Sequence, residues 1–152
     1  MVARRGEIER AYREQHDRLW RALFGYTGSR DVASDAAAEA FAQALAHREE
    51  LRSPDDWVWT AAFRIARGQL VDRPIEGLGN EDSYDPAESV IDLVRALAQL
   101  PERQRLAVVL RDYADRPTAE VADVLGITTA TVYVHLNHAR KRLRMLLEER
   151  DA

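Results

Sequence analysis

The apolar residues of this chain recur at helical spacing along most of its length, and no segment shows the alternation of a half-buried strand. This period predicts an all-α fold. Gly25 and Gly28 mark the end of the first helix, and Ser53 followed by Pro54 is a typical helix start. The predicted helices cover 7–27, about 32–48, 53 to about 71, a fourth that opens at Asp85, a fifth that starts at Pro101, 118–125 and about 129–147.

One stretch, residues 73–84, interrupts the helical period with Pro74, Gly77 and Gly79. Residues 73–90 carry one basic and five acidic groups, a net charge of −4, which equals the net charge of the whole chain. Such composition favours a solvated, flexible segment. The sequence therefore predicts two small helical domains, 1–72 and 85–152, joined by a flexible acidic linker over 73–84.

Several classes of protein are disfavoured by what the sequence lacks. It has no cysteine, Gly-rich phosphate loop, nucleophile elbow or Cys/His metal spacing, so we expect no enzyme, no cofactor and no metal. His135 and His138 lie one turn apart, a spacing that could bind a metal ion, but no third ligand is evident nearby. We therefore expect both histidines to face solvent or to contact phosphate. With no signal peptide and no apolar run of membrane-spanning length, a cytoplasmic protein without membrane contact is expected.

The strongest local motif is the segment 118–137, which has the spacing of a helix-turn-helix. Ala122 is small where two helices meet, Gly126 suits the turn, and Val132 packs the second helix on the first. Thr128 is a candidate cap for that second helix. The motif predicts a surface helix that enters a DNA major groove. The alternative is a plain helical hairpin with a glycine turn.

The segment 100–149 resembles region 4 of the extracytoplasmic-function sigma factors, in its LPERQR opening, LGI turn, TV pair and ARKRLR ending. The resemblance implies binding to the −35 promoter element and to the β flap of RNA polymerase. It implies a set of residues that face base edges, Thr128, Thr129, Tyr133, Val134 and Asn137. It also implies a set that holds the DNA backbone, Arg140, Lys141 and Arg144.

The first half of the chain is similar to region 2 of the same family. Residues 31–45 resemble the helix that docks on the β′ coiled coil, with Asp35, Glu39 and Phe41 at the motif positions. Residues 57–73 resemble the helix that recognises and opens the −10 element. The resemblance, with the ability of aromatic rings to stack on unpaired bases, gives a candidate set: Trp57, Trp59, Phe63, Arg64 and Arg67. For Trp57 and Phe63, packing in the core is the alternative.

The chain departs from the family pattern at several positions. Ala38 stands where Gln is usual, Leu45 stands where Trp is common, and only Arg73 remains of the basic cluster that usually follows the third helix. The segment 133–135 replaces a commonly Lys-Ser-Arg-like stretch. The resemblance implies a sigma factor that directs core RNA polymerase to promoter DNA, and it admits an anti-sigma partner. A stand-alone helix-turn-helix regulator and a degenerate sigma-like interaction module are the alternatives.

Overall fold

The computed structural model describes residues 2–72 and 88–151, and within these ranges every regular element is a helix, which confirms the all-α prediction. The α-helices there are α1 (Val2–Thr27), α2 (Arg30–Ala46), α3 (Pro54–Asp72), α4 (Glu88–Ala98), α5 (Glu102–Val108), α6 (Thr118–Leu125) and α7 (Thr129–Asp151). The chain divides into two compact units, Met1–Pro74 and Ile75–Ala152, called unit 1 and unit 2 below. The predicted linker, 73–84, and the predicted helix start at Asp85 lie outside the described residues.

Unit 1 is built around the alanine-rich face of α2, which packs against both α1 and α3. Ser29 caps this helix, because its hydroxyl accepts a hydrogen bond from the Val32 N–H at 3.2 Å. Small side chains let the helix axes approach closely while still excluding water. The alanines that are fully buried on this face are Ala33, Ala36, Ala37, Ala40 and Ala44.

Helix α3 places its aromatic side chains in the core of unit 1. Its start is marked by Ser53, whose hydroxyl accepts from the Asp56 N–H at 3.4 Å. The rings of Trp59 and Phe63 lie nearly parallel with centroids 6.4 Å apart, and Tyr26 of α1 packs against Phe63 at 5.6 Å. These rings supply much of the apolar area that holds the three helices of unit 1 together.

Unit 2 packs α5 and α6 against the first half of α7, and α4 also contacts α7. Its core is aliphatic, and its largest fully buried side chains are Leu106, Leu110, Val121, Val132 and Leu136. Arg105 is buried among them at 5% exposure and donates from Nη1 to the Leu100 carbonyl at 3.3 Å. A carbonyl partner reduces the cost of burying the guanidinium.

A single π-helical segment, Val109–Tyr113, continues α5 and ends in a tight reversal of the chain. The Ala114 N–H donates to the Val109 carbonyl at 3.1 Å, and Asp115 adopts a left-handed backbone with φ of 55°. Aspartate tolerates this conformation better than most residues with a Cβ atom. The reversal leads into α6, and it presents Asp112 on the surface of unit 2 beside α7.

Candidate nucleic-acid interface

The turn between α6 and α7 depends on Gly126, which has a φ of 68° and a ψ of 35°. The Ile127 N–H donates to the Ala122 carbonyl at 3.0 Å, which satisfies one of the free carbonyls at the end of α6. A Cβ atom at Gly126 would meet nothing within 4 Å. The requirement for glycine is therefore conformational, as the sequence predicts, and does not come from crowding.

Helix α7 begins with the cap predicted at Thr128. Its hydroxyl oxygen accepts a hydrogen bond from the Thr131 N–H at 3.2 Å, and it lies 2.9 Å from the Thr131 hydroxyl. The cap fixes the direction in which α7 leaves the turn. The hydroxyl of Thr128 is thus engaged by its own helix, while the side chain of the next residue, Thr129, is exposed.

The first half of α7 has one face in the core and the opposite face in solvent. Val132, Leu136 and Ala139 are at most 1% exposed and pack the helix onto unit 2. On the solvent side Tyr133 is 55% exposed and Val134 is 52% exposed. Helical spacing continues this outward face through further exposed residues, Ala130, Asn137, Lys141 and Arg144.

The Tyr133 side chain is oriented by the neighbouring helix. Its hydroxyl lies 3.4 Å from the hydroxyl of Thr118, which donates to it from the first residue of α6. The ring therefore leans toward α6. Val134 and Asn137, one turn apart, lie on the solvent side opposite the buried face of α7.

Arg140 lies beside a protein carboxylate. It donates from Nη2 and Nε to the two oxygens of Asp112 at 2.7 and 2.8 Å, a bidentate pair between α7 and the π-helical segment. This hydrogen bonding to Asp112 raises the pKa of Arg140 above its usual value. Arg140, Lys141 and Arg144 are all exposed, but the guanidinium of Arg140 is engaged by Asp112, so Lys141 and Arg144 are better placed to meet DNA phosphates.

Of the residues predicted to bind polymerase, two lie together on the surface of unit 1. Asp35 and Glu39 are exposed one turn apart on α2, and Glu39 accepts a hydrogen bond from Gln43 Nε2 at 2.9 Å. Phe41 is only 5% exposed and packs edge-on against Tyr12 with centroids 5.0 Å apart. Phe41 therefore supports the α1–α2 contact, and the two carboxylates form the accessible part of the predicted site.

The residues predicted to bind the −10 element are dispersed on α3. Trp59 and Phe63 are 1% and 0% exposed, and the Trp59 Nε1–H donates to Gln15 Oε1 at 3.3 Å. Their rings have no face open to a base, which favours core packing, the alternative considered for Phe63, over stacking on DNA. Trp57 and Arg67 are half-buried, and Arg64 is exposed.

A groove that the sequence does not predict lies between α1 and α2. It has a volume of about 280 Å³ and is lined by Ile8, Glu9, Tyr12, Arg13, Phe41 and Leu45. Tyr12 and Leu45 are 48% and 37% exposed at its walls. Leu45, which stands where a larger Trp is common in the family, is one of the side chains that line it.

Among the described residues, no cluster of three or more His, Cys, Asp or Glu side chains has the geometry to hold a metal ion. In the same part of the chain, no helix is long and apolar enough to cross a membrane.

Comparison with known proteins places this geometry in a family. Residues 91–143 match the family described as Sigma-70, region 4. RNA polymerase sigma factor SigV of Bacillus subtilis (strain 168) is 32% identical over 147 residues, which span 88% of this chain and 86% of that protein. ECF RNA polymerase sigma factor SigL of Mycobacterium tuberculosis (strain H37Rv) is 29% identical, over 97% of this chain and 93% of its own.

Solved structures show the same fold. The sigma factor RpoE from Bartonella quintana, in complex with the anti-sigma factor NepR, superposes with a TM-score of 0.78 at 18% identity and covers 92% of this chain and 96% of that one. CnrH, in complex with the cytosolic domain of CnrY, gives a TM-score of 0.70 at 20% identity and covers 93% and 88%. Together with the sequence matches over both halves of the chain, the helix-turn-helix assigns this protein to the extracytoplasmic-function (ECF) family of RNA polymerase sigma factors.

Proposed function

We propose that the two units of this sigma factor divide the work of promoter binding. In this proposal unit 2 inserts α7 into the −35 element and contacts the β flap. Unit 1 holds the β′ coiled coil of core RNA polymerase and engages the −10 element. The observation that carries the proposal is the outward face of α7, where accessible uncharged side chains are followed, on the same face, by Lys141 and Arg144.

The chemistry of the α7 surface supports this orientation. Thr129, Tyr133, Val134 and Asn137 precede the exposed cations along the helix, so its N-terminal half can reach base edges. Lys141 and Arg144 would then meet backbone phosphates. Thr128 contributes as the cap of the helix, and Arg140 contributes by holding α7 to Asp112.

For unit 1 we propose that the exposed carboxylates of Asp35 and Glu39 contact the polymerase while Phe41 supports their helix. Carboxylates suit a basic partner surface, where they give orientation and on-rate. Contacts to the −10 element would fall to Trp57, Arg64 and Arg67, since the other two aromatic rings are buried.

Further partners and the place of action follow from the same proposal. RpoE was solved in complex with the anti-sigma factor NepR, and we propose that this chain also has an anti-sigma factor. The polymerase performs the chemistry, and this chain supplies the promoter address without a cofactor. We place its work in the cytoplasm, where the polymerase and promoter DNA are found.

The test is run-off transcription with purified full-length chain and core polymerase on fragments of the chromosome that encodes it. Promoter-specific transcripts are expected for the native chain, and the pair Lys141→Glu/Arg144→Glu is expected to abolish them because the phosphate contacts become repulsive. The matched control is Arg10→Glu/Arg21→Glu, which changes the net charge equally through exposed residues of α1.

Three results would contradict the proposal. Unchanged transcripts from the α7 double variant would show that this face does not meet DNA. Specific DNA binding without any effect of core polymerase would indicate the stand-alone regulator. Binding to neither DNA nor polymerase, but to another protein, would indicate the degenerate interaction module.

A further inference from the structure

The outward face of α7 is uncharged over the part that would lie deepest in the major groove. Between Asp123 and Arg140 the sequence contains no Asp, Glu, Lys or Arg. The residues of α7 before Arg140 span about three helical turns. Guanine is read most often by Arg or Lys, which donate to its O6 and N7 atoms. Over these turns α7 therefore carries neither of the side chains that most often read guanine.

The side chains that are present suit the other base pair. Val134 is 52% exposed and presents methyl groups, which pack well on the 5-methyl group of thymine. Asn137 is exposed one turn further along the same face, and a carboxamide can both accept from N6 and donate to N7 of adenine. The pair thus offers one contact for each base of an A·T pair.

The surrounding structure keeps these two residues in position. The opposite face of α7 is fixed in the core by Val132 and Leu136, so the helix cannot rotate without losing buried contacts. The hydrogen bond from Thr118 draws the Tyr133 ring toward α6. Val134 and Asn137 consequently stand clear on the outward side.

From this arrangement we infer that Val134 reads the 5-methyl group of a thymine, that Asn137 reads a nearby adenine, and that the element contacted by α7 needs no guanine at those positions. The inference rests on the proposed function, because it assumes that α7 enters the −35 element. The inference adds which base pairs α7 selects. The family resemblance does not determine this, because residues 133–135 depart from the family pattern.

The experiment measures binding of the holoenzyme, core polymerase with the full-length chain, to a promoter found by the run-off assay. Each thymine of the −35 region is replaced in turn by deoxyuridine, which removes only the 5-methyl group. One replacement is expected to weaken binding about fourfold, the factor that corresponds to about 0.8 kcal/mol for one buried methyl-sized group. Replacing one adenine by 7-deazaadenine is expected to cost about tenfold.

Double-mutant cycles assign each effect to a residue. With Val134→Ala the deoxyuridine effect should disappear while the 7-deazaadenine effect stays, and with Asn137→Ala the reverse is expected. Ala119→Ser, an exposed change on α6 outside the predicted base-reading set, is the control that should preserve both effects.

Several outcomes overturn the inference. A deoxyuridine effect of the same size in the Val134→Ala holoenzyme would remove the thymine contact, and a required G·C pair at either position would contradict the A·T class. Val134→Ala could instead weaken binding to core polymerase without DNA, which would make this face a protein surface. In each of these cases the native chain still gives promoter-specific transcripts that Lys141→Glu/Arg144→Glu abolishes, whereas failure of the proposed function removes either the transcripts or their dependence on Lys141 and Arg144.

Discussion

Replacing Gly126 by alanine tests whether the turn of the helix-turn-helix is held by backbone conformation alone. At a φ of 68° a residue with a Cβ atom is strained by about 1–2 kcal/mol. No atom lies within 4 Å of the added methyl group, so crowding adds nothing. Alanine also restricts the unfolded chain, which returns about 0.4–1 kcal/mol. The expected net loss of stability of unit 2 is therefore about 1 kcal/mol.

Gly68 provides the matched control. It lies inside α3 of unit 1, and a Cβ atom there also meets nothing within 4 Å. Its backbone is helical, so Gly68→Ala should stabilise unit 1 by about 0.5–1 kcal/mol. The same methyl group, added to the same amount of open space, is thus expected to act with opposite sign at the two positions.

The assay follows the two units separately in urea. All three tryptophans, Trp20, Trp57 and Trp59, belong to unit 1, so their fluorescence reports that unit, while circular dichroism at 222 nm reports helices of both. Gly126→Ala should lower the midpoint of a dichroism transition and leave the fluorescence transition in place. Gly126→Asn should recover much of the loss, because asparagine tolerates the left-handed region.

Two results would refute the reasoning. If Gly126→Ala were as stabilising as Gly68→Ala, the turn would not require a positive φ. If Gly126→Asn were as unstable as Gly126→Ala, the loss would come from something other than backbone strain.

Two further substitutions test contacts named above. Asp112→Asn should cost unit 2 only about 0.5–1 kcal/mol, because the pair with Arg140 is partly exposed, but it frees a cation. In holoenzyme binding to promoter DNA, the slope of the logarithm of the binding constant against the logarithm of the salt concentration should then steepen by up to about 0.9. An unchanged slope would show that Arg140 does not reach a phosphate even when it is released from Asp112. Phe63→Ala should destabilise unit 1 by about 3–5 kcal/mol in the tryptophan-detected urea titration, since its ring is fully buried. A loss below about 1 kcal/mol would indicate that the ring is not in the core in solution.

The features that the sequence predicts best are those decided within a few residues. The bounds of α6 agree with the predicted range 118–125, and the glycine turn and the Thr128 cap are found as expected. Each depends on local rules, namely helical period, positive φ and a hydroxyl three residues before a free N–H. The sequence predicts the start of α1 at residue 7, whereas the helix begins at Val2, because that end of the helix carries no strong local signal.

The features that the sequence could not supply depend on distant residues. Asp112 and Arg140 are 28 positions apart, and their pairing follows from the π-helical segment, which has no sequence pattern of its own. The helical spacing of apolar residues places Trp59 and Phe63 on one face of α3. This spacing does not show whether that face packs in the core or binds a ligand. Packing decides that question, and it places both rings inside unit 1.

The exposed basic residues of α7 help to decide between a sigma factor and a stand-alone DNA-binding regulator. With Arg140 paired to Asp112, the exposed basic residues on the outward face of α7 reduce to Lys141 and Arg144. Two phosphate contacts give a salt slope of about −1.8, whereas proteins with six to ten such contacts hold DNA strongly by charge alone. The whole chain is also negative, at −4, which opposes any long-range attraction to DNA. A stand-alone regulator would have to bind its site with this small electrostatic contribution. A sigma factor does not, because the polymerase holds α7 near the duplex and raises its effective concentration there. The charge pattern of unit 2 therefore favours a helix that selects sequence within a larger complex over one that binds DNA unaided.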